Sequence, residues 1–262
     1  MKLSQTLSNQ GVIMYQQERF QLIENVLKEN GFVTVKYLMN KLHYSSATIN
    51  RDLNAMQNQG ILKRSFGGAQ LIEEKNVSLY FRYSKMRPIK NKIGKKAADF
   101  IKDGDIIFID CSTTAQYIGK YITDRKDITV ITNNLTLASF LSENNITSIC
   151  LGGKIMEPPS MVYSEETVEN AKKYGADKFF FSASGVTENG KIAAAEFDAH
   201  TLLMKTMMEN SKEKFLLIDH EKIKPNLNKF IGDFSDVNVV ITDHIFSSNI
   251  KNNYSKTEFI EI

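Results

Sequence analysis

Apolar residues recur at helical spacing along the first quarter of the chain. Phe20, Ile23, Val26 and Leu27 mark one face of a helix, and Gly31 stands where a left-handed residue would end it. Thr34 is placed to cap a second, short helix that carries Val35, Leu38, Met39 and Leu42 at i, i+3, i+4 and i+7. After the turn His43-Tyr44, Ser45 or Ser46 caps a third helix of about 14 residues, roughly 21 Å long. Ile49, Leu53 and Met56 face inward on it. Ala47, Arg51, Asn54 and Asn58 lie opposite, Thr48 and Asn50 flank them, and Gly60 ends the helix. Ile61–Arg64 and Ala69–Ile72 then flank the Gly67-Gly68 pair, which predicts a hairpin.

Further on, the pattern alternates between helix and strand. The spacing predicts a helix near Ile89–Ile101 that buries Ile93, Ala97, Phe100 and Ile101. Strand 105–110, helix 113–122, strand 128–132, helix 134–143 and strand 147–151 follow, with later strands at 178–183, 214–219 and 238–242 and a helix over 198–210. The strands are near-continuous apolar runs, as expected where helices cover both faces of a mostly parallel sheet. The expected architecture is α/β in two parts. A winged helix-turn-helix domain spans 15–75, a basic linker 76–92, and a mostly parallel-sheet α/β domain 93–262.

Composition changes this picture little. The net charge of +3 announces no nucleic-acid partner by itself, but its distribution is uneven. Between Lys75 and Ala98 there are eight Lys or Arg and no acid, which suits either a solvated linker or phosphate contact. Two cysteines, Cys111 and Cys150, make no disulfide framework and offer no metal-ligand spacing, so a reducing cytosol and no metal or cofactor are expected. No run approaches the ~20 apolar residues of a membrane span, and no membrane partner is expected. Residues 1–13 are polar and patternless, read as a disordered extension or the product of an upstream start.

Three short helices, the second and third joined by a tight turn, form the helix-turn-helix arrangement. The outer face of the third helix offers Ser46, Thr48, Asn50, Arg51 and Asn54, groups able to contact base edges and phosphates of double-stranded operator DNA. The hairpin behind it places Lys63, Arg64 and the tip glycine Gly67 to meet phosphate. The same module can serve protein contact alone. The run Ser45 to Leu53, with Gly60–Arg64 and Phe66-Gly67-Gly68-Ala69, resembles the DNA-binding head of the DeoR-type bacterial repressors, in which a Thr-Ile-Arg-Arg-Asp-Leu run stands at this spacing. Asn50 replaces the first arginine of that pair. Asparagine pairs with adenine where arginine favours guanine, so an altered operator preference is expected.

In parallel sheets, ligands collect at the carboxyl ends of strands. There the chain carries Asp110 with Ser112, Thr113 and Thr114 opening a predicted helix, Asn133 after the second strand, and Gly152-Gly153 after the third. A helix N-terminus with hydroxyls suits a phosphate; equally, Ser112 or Thr113 is an N-cap and Gly152-Gly153 a turn. Lys205 on the helix 198–210, and Asp219 with Lys222 three residues later, add a cation and an acid, although lysine on a helix is more often solvated. These positions, with Asp177, Gly185 and Thr242-Asp243, resemble the sugar-phosphate sensor domain of the same repressors, itself similar to the ribose-phosphate isomerase and glucosamine-phosphate deaminase sheet. Two positions depart from that pattern: Ser112 replaces a glycine and Thr201 an acid.

The resemblance implies a repressor of a sugar or carbohydrate-metabolism operon. A phosphorylated sugar would modulate its DNA binding, and a homo-oligomer, dimer or tetramer, would bind the operator. Two other classes stay open. A sugar-phosphate isomerase or deaminase with an accessory head could draw a general base from Asp110, Glu196, Asp198 or Asp219, although no His–carboxylate pair stands out and His200 and His220 read as surface residues. A redox sensor acting through Cys111, beside the predicted helix N-terminus, is the third.

Overall fold

The computed structural model describes residues 16–59, 61–65, 67–72, 86–156, 161–194, 198–225 and 227–262. Gly60, Phe66, Glu196, residues 1–13, the 76–85 part of the expected linker and the side chain of Asp198 lie outside that set. The chain forms two compact units, one within residues 1–82 and one within 83–262.

The first unit is built on α1 (Gln16–Asn30), α2 (Val35–Leu42) and α3 (Ser46–Asn58). Gly31, at φ 71°, ends α1 as its position predicts. Thr34 Oγ1 accepts from Tyr37 N to cap α2, and Ser45 Oγ accepts from Thr48 N to cap α3. Ile23, Leu27, Leu38, Ile49, Leu53 and Met56 close the core between them. The wing is β2 (Leu62–Ser65) paired antiparallel with β3 (Gly68–Leu71), and β3 also pairs with β1 (Phe32–Thr34), a strand the periodicity did not predict. Gly68 has no Cβ because one would overlap the Phe32 ring and the Val33 carbonyl across that pairing.

One buried charge holds this unit together. Asp52, on α3, is 0 % exposed, and Arg19 of α1 donates to both its carboxylate oxygens at 2.7 and 2.9 Å. The pairing keeps the Arg19 guanidinium above its ordinary pKa, chiefly through its hydrogen bond to Asp52. Bidentate geometry of this kind offsets the cost of taking both ions out of water.

The second unit is a seven-stranded, wholly parallel sheet. In chain order its strands are β4 (Ile106–Ile109), β5 (Thr129–Thr132), β6 (Thr147–Cys150), β9 (Ala176–Phe181), β12 (Ser211–Ile218), β14 (Val239–Thr242) and β15 (Glu258–Glu261). In space the order is β15-β14-β12-β9-β4-β5-β6. Both faces are buried: Phe180 stacks on Phe215 at 4.6 Å on one, Phe179 on Phe181 at 4.8 Å on the other. Helices α4 (Arg87–Ala98), α5 (Leu135–Glu143), α6 (Glu165–Ala171), α7 (Asp198–Glu209) and α8 (Ser248–Asn253) accompany the sheet. A hairpin, β7 (Ile155–Met156) with β8 (Met161–Val162), and a small antiparallel sheet of β10 (Gly185–Val186), β11 (Lys191–Ala193) and β13 (Phe230–Asp233) were not predicted.

Two expectations need correction. Residues 87–92, assigned to a linker, form the first turns of α4, and Lys90 there is only 3 % exposed. The helix expected over 113–122 is a 3-10 helix, Ala115–Tyr121. Gly94 lets α4 close onto its backbone, since a Cβ would overlap Tyr117. No helix among the described residues is long and apolar enough to cross a membrane.

Candidate functional site

On the first unit, α3 presents one polar face and the wing strand lies along it. Ser46, Arg51 and Asn54 are exposed, as are Lys63 and Gly67 on the hairpin, while Thr48, Asn50 and Arg64 are half-buried. Gly67 takes φ 75° at the hairpin tip, a conformation that suits glycine. Thr48 shares its hydroxyl with Ser45 at 3.0 Å. Four predicted DNA-contacting residues, Ser46, Asn50, Asn54 and Arg64, form a single cluster. Arg64 donates through Nη2 to Asn50 Oδ1 and through Nη1 to Asn54 Oδ1, each at 2.5 Å. Asn50 Nδ2 in turn donates to Ser46 O at 2.8 Å and Ser46 Oγ at 3.1 Å. Arg64 N donates to Gln57 Oε1 at 3.1 Å, so the wing is fastened to α3 along positions 50, 54 and 57, one helical stripe.

On the second unit, β4 comes first in sequence and lies mid-sheet. The chain builds outward to β5 and β6 on one side and to β9, β12, β14 and β15 on the other. The order reverses between β4 and β9, and a crevice opens at the carboxyl ends of strands at such a point. Asp110 stands there, 2 % exposed. Its Oδ1 accepts from Ser112 N at 3.0 Å and its Oδ2 from Ser182 N, beyond β9, at 3.2 Å. Burial pushes its pKa up to about 6, against the pull of these hydrogen bonds and of the Lys222 charge.

Around Asp110 the structure gathers much of the expected set. Thr113 and Thr114 are buried, and Lys90 Nζ donates to Thr113 Oγ1 at 3.0 Å. Asn133 follows β5; its Nδ2 donates to Val162 O at 3.0 Å, and its buried Oδ1 has no partner among the described residues. Ser182 Oγ is buried and unpartnered in the same sense. Buried polar atoms left this way are uncommon and ask for a reason. Asp219, 2 % exposed, caps the turn His220–Lys222 by accepting from Glu221 N at 3.2 Å. Lys90 and Ser182 were missed. Lys90 precedes Ile93 by three and Ala97 by seven, so it falls on their buried stripe, and that spacing was the available signal.

Other residues named from the sequence stand differently. Ser112 Oγ accepts from Ala115 N at 3.1 Å, the capping role, and a 3-10 helix of seven residues does not supply the helix N-terminus proposed for a phosphate or for activating Cys111. A Cβ at Gly152 would meet only Asn170 Nδ2, at 3.7 Å, whereas Gly153 is crowded. At φ 140°, Gly153 admits the start of α6, because a Cβ would overlap Thr167 and Ser164. Lys205 is exposed and lines a surface pocket of about 590 Å³ with Lys214, Asn238 and Lys256, at the amino-terminal ends of β12 and β14 and opposite the strand-end set. Asp177 likewise sits at the amino-terminal edge, paired with Lys212 at 2.8 Å. His220 is a surface residue, as expected, but it has a carboxylate partner: its Nδ1 lies 2.6 Å from Asp243 Oδ2, and this partner raises its pKa. Among the described residues no cluster of His, Cys, Asp and Glu is placed to hold a metal.

Comparison with known proteins divides the chain in the same way. Residues 19–75 match the DeoR-like helix-turn-helix domain and residues 86–244 the DeoR C terminal sensor domain. The chain is 32% identical over 235 residues to the HTH-type transcriptional repressor GlcR of Bacillus subtilis, covering 88% of this chain and 90% of that one. It is 29% identical over 233 residues to the glycerol-3-phosphate regulon repressor of Escherichia coli, covering 88% and 92%. Among solved structures, ribose 5-phosphate isomerase A of Methanocaldococcus jannaschii matches with a TM-score of 0.41 and 20% identity over 54% of this chain and 56% of that one.

Proposed function

The chain belongs to the DeoR family of helix-turn-helix transcriptional repressors with a C-terminal sensor domain, and from that premise we propose how its own residues divide the work. The first unit binds double-stranded operator DNA by laying α3 in the major groove, with Arg51 and the Arg64 cluster toward the bases and Lys63 toward phosphate. The second unit binds a phosphorylated sugar at the carboxyl ends of β4, β5, β9 and β12. The observation that carries this is the meeting, on neighbouring strand ends, of a buried lysine on Thr113 with the unpartnered Asn133 Oδ1 and Ser182 Oγ.

Each group has a chemical part in this reading. Lys90 and Lys222 supply positive charge for a phosphate, and the Thr113 and Thr114 hydroxyls add donors. Asn133 Oδ1 accepts from a sugar hydroxyl, and Ser182 Oγ donates to one or accepts from it. Asp110 acts by orienting the Ser112 and Ser182 amides across the switch point. The site holds its ligand without turning it over, as befits relatives that are regulators. The protein works as a homo-oligomer, because two heads are needed to match two half-sites about 34 Å or a multiple apart.

A gel-shift titration tests the proposal. DNA from the gene's own promoter region should be retarded at low salt, and a sugar phosphate should change its affinity. No shift of that DNA would sink the operator reading. Turnover of ribose 5-phosphate or glucosamine 6-phosphate would instead favour an enzyme.

A further inference from the structure

We infer that Asn50 and Asn54 are positioning residues which hold the Arg64 guanidinium over the outer face of α3, and that Arg64, a wing residue, reads a guanine edge in the operator. This rests on the DNA-binding reading of the first unit. Asn50 itself is poorly placed to read a base. A bidentate contact with adenine needs one free amide donor and one free acceptor. Asn50 spends both of its N–H donors on Ser46 O and Oγ, and one lone pair of its Oδ1 on Arg64 Nη2, so it has no free donor.

Arg64 is in the opposite position. A guanidinium carries five N–H donors. One from each Nη is committed, to Asn50 and to Asn54, which leaves three. A planar fork with donors to spare matches the O6 and N7 acceptors of guanine. The backbone adds restraint, because Arg64 N is tied to Gln57 Oε1 at 3.1 Å. The fork is thereby ordered before DNA arrives, on the helical face that carries the exposed Asn54. A phosphate contact from a wing needs none of this, since a flexible lysine such as Lys63 provides one.

An arginine at position 50 would bring a second guanidinium against the first, and like charges at contact distance repel. Asn50→Arg should therefore expel Arg64 from the face and transfer base reading to position 50.

The test uses the full chain and double-stranded DNA selected by it from a random-sequence pool, with every base pair of the selected site then substituted in turn. Arg64→Ala and Arg64→Lys should both lose discrimination at one guanine position, by about tenfold or more, while retaining preference elsewhere. Asn50→Ala should lose part of the same discrimination, and should add nothing when combined with Arg64→Ala. A fold defect would instead lower the melting temperature and weaken every sequence alike. If Arg64→Lys keeps full discrimination, or if Arg64→Ala weakens all sequences equally with the log–log salt slope falling by about one, Arg64 is a phosphate contact and the inference is wrong. Failure of the unaltered chain to select any DNA would overturn the operator reading, and this inference with it.

Discussion

At the scale of single residues, burial sets what Asp110 can do. Its carboxyl titrates near pH 6 in the folded chain and near 3.8 when unfolded, because a charge is costly at 2 % exposure. Between these values the folded state binds more protons than the unfolded one, so this group's contribution to stability falls as pH rises from about 4 to about 6. The total change is about 3 kcal/mol once both states are ionised. Asp110→Asn should remove that slope. The variant's lost hydrogen bonding to Ser112 or Ser182 is independent of pH, so the gap between the two proteins in urea unfolding should shift in the variant's favour from pH 4 to pH 7. A gap constant with pH would mean that the carboxyl is not desolvated. Arg51 is a different case, exposed on the groove face of α3. Arg51→Ala should cost about 1–3 kcal/mol of operator affinity and relax preference at one base pair, leaving thermal stability unchanged. Competition binding over singly substituted operators reads both.

At the scale of elements, the Arg19–Asp52 pair fixes α1 against α3 and so aims the recognition helix. Removing one partner leaves a buried, uncompensated charge. Arg19→Met should destabilise the first unit by about 3–5 kcal/mol, and the double change Arg19→Met with Asp52→Leu should recover much of it. Thermal unfolding of the full chain followed by circular dichroism distinguishes the two. Equal loss in both variants would show that packing, not charge, is what the pair provides. Asp52 also shows how far elements could be read in advance. The helices of the first unit were legible because their caps and apolar stripes are local. What Asp52 touches was not, since Arg19 lies 33 residues away. Strand β1 was invisible for the same reason: three residues between Gly31 and a capped helix become a strand only by pairing with β3. Strand β15 begins and ends in glutamate and lies at the sheet edge, where charge is expected and alternation is weak. In the sensor unit, the positions of the strand ends were legible, because strand ends follow from apolar runs. The surroundings of Lys90 and Gly153 were not legible, because they depend on which helix arrives beside them: α4 carries Lys90 to Thr113, and α6 fills the space at Gly153.

At the scale of the whole molecule, a repressor needs its two units to share free energy. If a sugar phosphate changes operator affinity by some factor, linkage requires the operator to change sugar-phosphate affinity by the same factor, commonly 5–150-fold. Residues that only bind the effector can therefore be separated from residues that only bind DNA. Lys90→Met and Thr113→Ala should leave operator affinity without effector unchanged, because neither lies in the unit that contacts DNA. Both should weaken the response to the effector, Lys90→Met the more, since it removes a cation and not only a hydroxyl. Arg51→Ala should do the reverse, losing operator affinity while the effector still shifts what remains by the same factor. The measurement is a pair of titrations, operator at increasing sugar phosphate and sugar phosphate at increasing operator, made on each variant. If Thr113→Ala responds as the unaltered chain does, Thr113 is not a phosphate ligand. If Lys90→Met loses operator affinity without effector present, the buried lysine acts on the DNA-binding state itself, and the strand ends are part of the coupling as well as of the pocket.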